Sequence, residues 1–197
     1  MSLLVKICGL RKRRDVAAAV EAGAGAVGFV FAPSVREIVP ALARASSNLV
    51  PCDVKRVAVM LHPSNEEWTR VLDTFEPDVL QTDAEDFDTL EVPDFVERWP
   101  VYREGLSSPA GDGIYVYEGS KSGQGETVDW STAAALARSG QMILAGGLSP
   151  ENIAAAIQAV RPFGVDVSSA VESSPGEKDP RRIREFISAA RAAEKNL

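Results

Sequence analysis

The chain has 197 residues, 45% hydrophobic and 25% charged, the proportions of a globular protein with one sizeable core rather than of a disordered or fibrous chain. Its 28 acidic against 21 basic residues give a formal charge of -7, which argues against a general nucleic-acid surface, because phosphate backbones are held by an excess of Lys and Arg. No apolar run reaches the roughly 18 residues of a membrane span and no signal-peptide pattern precedes Val5, so the expectation is a cytoplasmic protein, without membrane or nucleic-acid partners, in which Cys8 and Cys52 stay reduced.

From the N-terminus, Leu4 to Ile7 reads as a short buried strand, followed by the charged helix start Arg11 to Asp15. Further apolar, β-branched runs follow at Val27 to Phe31 and Val57 to Met60. The period then changes. Trp68, Val71, Leu72 and Phe75 recur at i, i+3, i+4 and i+7 behind the capping box formed by Ser64 and Glu67, which predicts a helix. Strand patterns return at Asp78 to Gln81 and Val101 to Arg103. Glu104 to Gly113 is too short and too rich in Gly, Ser and Pro for a full crossover helix, so a helix is expected to be shortened or missing after the fifth strand. Ile114 to Tyr117 and Met142 to Ala145 complete seven strands, and Val165 to Val167 the eighth. Ser149-Pro150 and Asp179-Pro180 each read as an N-cap with proline at the first helical position, ahead of Ile153, Ala156, Ile157, Val160 and of Ile183, Phe186, Ile187, Ala190.

Strands alternating with helices imply right-handed βαβ units, and eight of them imply an α/β architecture closed as a (β/α)8 barrel, one compact domain over residues 1–197. Sites in such barrels lie at the C-terminal ends of the strands, which selects Cys8 and Gly9, Pro33 to Arg36, Gln81 to Asp83, Glu118 to Asp129, Gly146 to Ser149, and Ser168 to Ala170. Loops after strands seven and eight are the usual phosphate site of this architecture. Gly146-Gly147 allows close backbone approach to an anion, and Ser168-Ser169 supplies hydroxyls and amides.

Cys8 reads either as a small buried hydrophobe or as a base whose thiol pKa a cation must lower. Lys6 is taken to alternate to the other face of the strand, leaving Arg36 as the candidate neighbour. Asp129, ahead of the helix near Trp130, reads as an N-cap or as an acid. Cys52 and the lone His62 have no partners at ligand spacing and are assigned to structure. Metal-ligand spacing, a Gly-x-Ser-x-Gly elbow and a dinucleotide fingerprint are all absent from the sequence, which leaves acid-base chemistry.

Four sets of residues together resemble the phosphoribosylanthranilate isomerase family across the whole chain. They are Lys6 to Leu10, Gly28 to Ser34 with Arg36, and Leu144 to Asn152, joined by Gly164 to Glu172 with Pro175-Gly176 and Lys178-Asp179. The resemblance implies the third step of tryptophan synthesis, an Amadori rearrangement of N-(5-phosphoribosyl)anthranilate to 1-(2-carboxyphenylamino)-1-deoxyribulose 5-phosphate. By the same resemblance Cys8 is the base, Asp129 the acid and Arg36 the holder of the anthranilate carboxylate, with the phosphate at Gly146, Gly147, Ser168, Ser169 and Ala170. It further implies a reaction that needs neither metal nor organic cofactor, since the imine is the electron sink, a phosphorylated small-molecule substrate, and a monomer or weak homodimer. Three loop positions depart from the family pattern: Asp83 stands where a histidine is usual, Glu126 where a lysine is usual, and Ala170 where a glycine is usual. These departures leave a non-catalytic or weakly active phosphate-binding barrel as the alternative. An indole-glycerol-phosphate synthase would need a catalytic lysine on an inner strand, and Lys55 is read as preceding its strand.

Overall fold

The computed structural model describes residues 2–106, 109, 113–120 and 127–196. Eight parallel strands close into a barrel in chain order. They are β1 (Leu4–Ile7), β2 (Ala26–Val30), β3 (Lys55–Val59), β4 (Val79–Asp83), β5 (Glu97–Arg103), β6 (Ile114–Glu118), β7 (Gln141–Leu144) and β8 (Gly164–Val167). Closure is made by β8 returning to β1, with Leu4 opposite Gly164 and Ile7 opposite Val167. Outside them run α1 (Arg13–Ala22), α2 (Pro40–Ser47), α3 (Asn65–Phe75), α4 (Trp130–Leu136), α5 (Ile153–Val160) and α6 (Pro180–Glu194). A small antiparallel hairpin, β9 (Glu172–Ser174) with β10 (Glu177–Lys178), lies between β8 and α6.

The eight expected strands are all present, with ends shifted by one or two residues except at β5. That strand begins at Glu97, four residues ahead of its apolar run, because Trp99 points into the barrel and is packed with Val57, Val79 and Val116. Charged flanks and Pro100 hide this start in the sequence. Two crossovers lack an α-helix among the described residues. After β4 the chain makes only a 3-10 turn, Ala84–Asp88, which the sequence reading did not anticipate. After β5, 104–106 forms a turn, and most of the rest of the Glu104 to Gly113 segment lies outside the described residues.

Capping chemistry explains the helix starts. Ser64 accepts from Glu67 N while Glu67 accepts from Ser64 N at 2.8 Å, the reciprocal box that opens α3. Asp179 accepts from Arg181 N at 2.8 Å, with Pro180 in the first turn of α6. The start expected at Ser149-Pro150 is corrected: α5 begins at Ile153. Asn152 diverts the chain into a turn, its Oδ1 accepting from Ser149 N and its Nδ2 donating to Gly147 O, both at 2.8 Å.

Strand alternation divides the interior in two. Val5, Ile7, Val27, Phe29 and Leu80 face outward into a core shared with Trp68, Phe75, Ile153 and Phe186 of the helices. The opposite faces fill the barrel with Ala26, Val57, Val79, Trp99, Val101, Val116, Ile143 and Ala145. Each fully buried large side chain contributes about 1.5–3 kcal/mol, so the barrel wall is a rigid platform for the loops at its C-terminal end.

Candidate active site

A cavity opens at that end, and Cys8, Arg36, Gln81, Arg103, Asp166 and Ser168 are among its walls. Cys8 follows β1 directly and is only 7% exposed. Its N–H donates to Val167 O at 2.8 Å, and its carbonyl accepts from Ser168 Oγ at 3.2 Å, which ties the loops after β1 and β8 together. The expectation that Lys6 points away from Cys8 is overturned. Residues two apart share a strand face, so Lys6 enters the barrel directly beneath the thiol, fully buried, with its ammonium 2.8 Å from Asp166 Oδ2. Burial pushes the Cys8 thiol up from its ordinary range, and Lys6 opposes that shift. Burial alone would lower the Lys6 ammonium; Asp166 and then Cys8 outweigh it and hold the lysine charged.

The glycine after the cysteine has a steric reason. Gly9 has φ +75°, and a Cβ there would lie 2.7 Å from Arg36 Cδ and 3.1 Å from Ser168 Oγ. The stem of Arg36 therefore crosses over the backbone of Gly9 to reach the cavity. Its Nε and Nη2 donate to the two carboxylate oxygens of Glu172 at 2.7 and 3.1 Å. Glu172 also accepts from Lys178 Nζ at 2.7 Å and Gly176 N at 3.1 Å. Burial would raise the Glu172 carboxyl, but the Arg36 and Lys178 hydrogen bonds hold it below its usual range. Lys178 in turn donates to Ser168 O at 2.8 Å. The β9–β10 hairpin thus braces Arg36 and the serine loop at once. Glu172 and Lys178 were not among the site residues expected from sequence; their pairing is visible only once the hairpin brings them together.

Gly146 and Gly147 are both left-handed, at φ 88° and 60°, and line the cavity beside Ser168 and Ser169. Two consecutive glycines in this conformation bare their amides, the geometry suited to an anion. Ala170 sits in the 3-10 turn Ser169–Val171, outside the lining, with its carbonyl accepting from Arg182 Nη1 at 3.2 Å.

Asp129 also lies outside the lining. It is the N-cap of α4, accepting from Ser131 N at 3.0 Å and from Thr132 Oγ1 at 2.7 Å, while its own N–H donates to Glu104 Oε1 at 2.9 Å. The Thr132 hydroxyl, then that of Ser131, lowers its pKa to about 2. Gly123 to Glu126, including the charge-reversed Glu126, lie outside the described residues.

Of the other cavity groups, Gln81, Asp83 and Glu118 stand at strand ends selected from the sequence, while Asp166 and Arg103 escaped that selection. Gln81 Oε1 and Asp166 Oδ1 are buried without a hydrogen-bond partner among the described residues. Arg103 bridges Asp83 at 2.5 Å and Glu118 at 3.2 Å. His62, read as isolated, faces Asp83 at 3.4 Å and Asp86 at 2.9 Å, because the loop after β3 folds against that after β4. Its hydrogen bond to Asp86 raises its pKa. Lys55 is the first residue of β3 rather than its forerunner, and pairs with Glu97 at the opposite end of the barrel, 2.5 Å away. The inner-strand lysine is Lys6.

Comparison with known proteins agrees with this geometry. The profile of the N-(5'-phosphoribosyl)anthranilate isomerase family matches residues 5–189. The N-(5'-phosphoribosyl)anthranilate isomerase of Listeria monocytogenes serovar 1/2a is 38% identical over 210 residues, covering 98% of this chain and all of that one. The crystal structure of phosphoribosyl anthranilate isomerase from Thermus thermophilus superposes with a TM-score of 0.79 at 30% identity, covering 96% of this chain and 99% of that one. A phosphoribosyl anthranilate isomerase in complex with reduced 1-(o-carboxyphenylamino)-1-deoxyribulose 5-phosphate superposes with a TM-score of 0.74 at 32% identity, covering all of both chains. On the strength of the closed barrel, the motifs that line its mouth and these whole-length matches, the chain belongs to the N-(5'-phosphoribosyl)anthranilate isomerase family.

Proposed function

We propose that this enzyme of tryptophan biosynthesis isomerises N-(5'-phosphoribosyl)anthranilate to 1-(2-carboxyphenylamino)-1-deoxyribulose 5-phosphate with Cys8 as its base and Asp129 as its acid. The observation that carries the reading is a single nucleophilic thiol set in the cavity between a buried ammonium and an anion cradle built from Gly146, Gly147, Ser168 and Ser169. The phosphate sits in that cradle, with Ala170 in the turn behind it. Arg36 meets the anthranilate carboxylate, for which a planar guanidinium is the natural partner. Gln81 Oε1 and Asp166 Oδ1, the two acceptors left unpaired, take sugar hydroxyls.

Asp129 gives a proton to the furanose ring oxygen, the C1–O bond breaks, and the anilino nitrogen lone pair forms a Schiff base. Cys8 as thiolate then removes the C2 proton, and the bonding pair flows into the imine to give an enolamine. Tautomerisation of the enolamine yields the C2 ketone. The imine formed on ring opening is the electron sink for deprotonation at C2, so the side chains exchange only protons with the substrate. In the capped state Asp129 is ionised, so its duty as acid requires it to leave the Ser131 and Thr132 hydrogen bonds and take up a proton as substrate binds. The enzyme acts as a single barrel domain, monomeric or weakly dimeric, in the cytoplasm.

Loss of substrate fluorescence with the purified enzyme tests the reading. Wild-type turnover is expected, with Cys8→Ser and Asp129→Asn each lowering kcat by about 10²-fold or more at similar KM. Near-wild-type rates in either variant overturn the role of that residue, and wild-type binding without turnover favours the inactive barrel.

A further inference from the structure

A fully buried lysine inside a barrel needs a reason. Replacing a buried ion pair with apolar side chains of similar volume is often neutral or stabilising, so the Lys6–Asp166 pair is not explained by stability. Position supplies a different reason. Lys6 and Cys8 leave β1 on the same face, and β2 clears the space above them: a Cβ built on Gly28 would lie 3.1 Å from Cys8 Sγ and 3.2 Å from Lys6 Cε. The thiol and the end of the lysine chain therefore converge on one point, where a Cβ at this position of β2 would crowd both. Asp166 of β8 fixes the ammonium from the other side at 2.8 Å and lines the cavity with Cys8.

The charged groups around the thiol are few. Lys6 comes from β1, Asp166 from β8 and Lys178 from β10, while β2 contributes Gly28 alone. Arg36 passes over Gly9 but directs its guanidinium to Glu172. Lys178 is divided between Glu172 and the Ser168 carbonyl. That leaves Lys6, whose chain end reaches the same point beside Gly28 as the sulfur, as the cation nearest in line to act on it.

We propose that Lys6, clamped by Asp166, is the positioning residue that orients the Cys8 sulfur and favours its thiolate form against the cost of burial. This rests on the reading of Cys8 as the base. Its electrostatic content is that a buried thiolate in apolar surroundings is unfavourable and a charge-assisted contact from a fixed ammonium offsets that cost. Asp166 serves Lys6 by keeping it charged, and opposes the thiolate by its own charge.

The test titrates Cys8 directly in a Cys52→Ser background, following iodoacetamide alkylation against pH alongside the acid limb of kcat/KM. Lys6→Met is expected to move the alkylation midpoint up by about one pH unit or more, and the acid limb with it. The upward direction separates this from general loosening of the site, which would relieve the burial of the thiol and lower its midpoint. An unmoved midpoint in folded Lys6→Met overturns the proposal. If that variant does not fold, the less drastic Lys6→Gln decides: an upward shift supports the proposal, and no shift or a downward one overturns it. Failure of Cys8 as the base is seen separately, as turnover retained in Cys8→Ser while the alkylation shifts stand.

Discussion

Asp129 is asked to do two things that oppose each other. As the cap of α4 it must be ionised, since a carboxylate is the better acceptor for the Ser131 and Thr132 donors. As the proposed acid it must carry a proton. The Thr132 hydroxyl is the largest influence holding the pKa near 2, well below the ordinary 3.8. Thr132→Ala is therefore expected to raise the Asp129 titration toward its ordinary value, read from the pH dependence of its carboxyl carbon resonance, and an unmoved titration would remove Thr132 from that role. The sign for stability follows. A depressed carboxyl stabilises the fold fully above its unfolded value of 3.8 and ceases to do so as pH falls toward 2. In Thr132→Ala this contribution is smaller, and its loss, which still begins near 3.8, is complete at a higher pH.

Helix α3 shows how far local chemistry determines an element. Its apolar stripe packs Trp68, Val71 and Phe75 against the barrel, and its start is closed by the Ser64–Glu67 box. Ser64→Ala is expected to lower the unfolding free energy by about 1 kcal/mol, the usual cost of losing an N-cap hydroxyl, measured by urea denaturation. An unchanged midpoint would show that packing alone holds the helix. The β9–β10 hairpin is the contrary case. Three strand residues and two do not stand alone. What holds the hairpin is Glu172, fixed by Arg36 and Lys178, so this element exists only where the site exists.

For the molecule as a whole the vulnerable place is the seam where first and last strands meet. There α6 acts as a clamp. Arg191 donates to Leu3 O at 2.6 Å and Gly23 O at 2.9 Å, and Glu194 Oε1 accepts from Leu3 N at 2.6 Å. These contacts join the entry of β1, the end of α1 and the last helix. Hydrogen bonds from a charged group contribute about 1.5–3 kcal/mol each when partly shielded. Arg191→Ala is expected to lower stability by about 2 kcal/mol or more and the melting temperature by about 4 °C or more. A melting curve superposable on wild type would show that strand pairing at β1–β8 closes the barrel unaided.

The order of strands, the barrel and the family were all legible in the chain, because each rests on local patterns: β-branched runs, capping signals, and motifs such as Lys6 to Leu10 that keep their neighbours in sequence. Cys8, Arg36, Gly146, Gly147, Ser168 and Ser169 were legible too, since each stands just after a strand and the C-terminal mouth of a barrel is the same for every strand. Asp129 was legible as a cap, and only the family pattern marks it as an acid. What the tertiary structure decided is everything that depends on closure. The pairing of Lys6 with Asp166 spans 160 positions, and that of Arg36 with Glu172 spans 136. No spacing rule reaches so far. Charges in the interior find partners only when β8 closes on β1, and it is that closure which sets a lysine beneath Cys8 and gives the thiol its electrostatic surroundings.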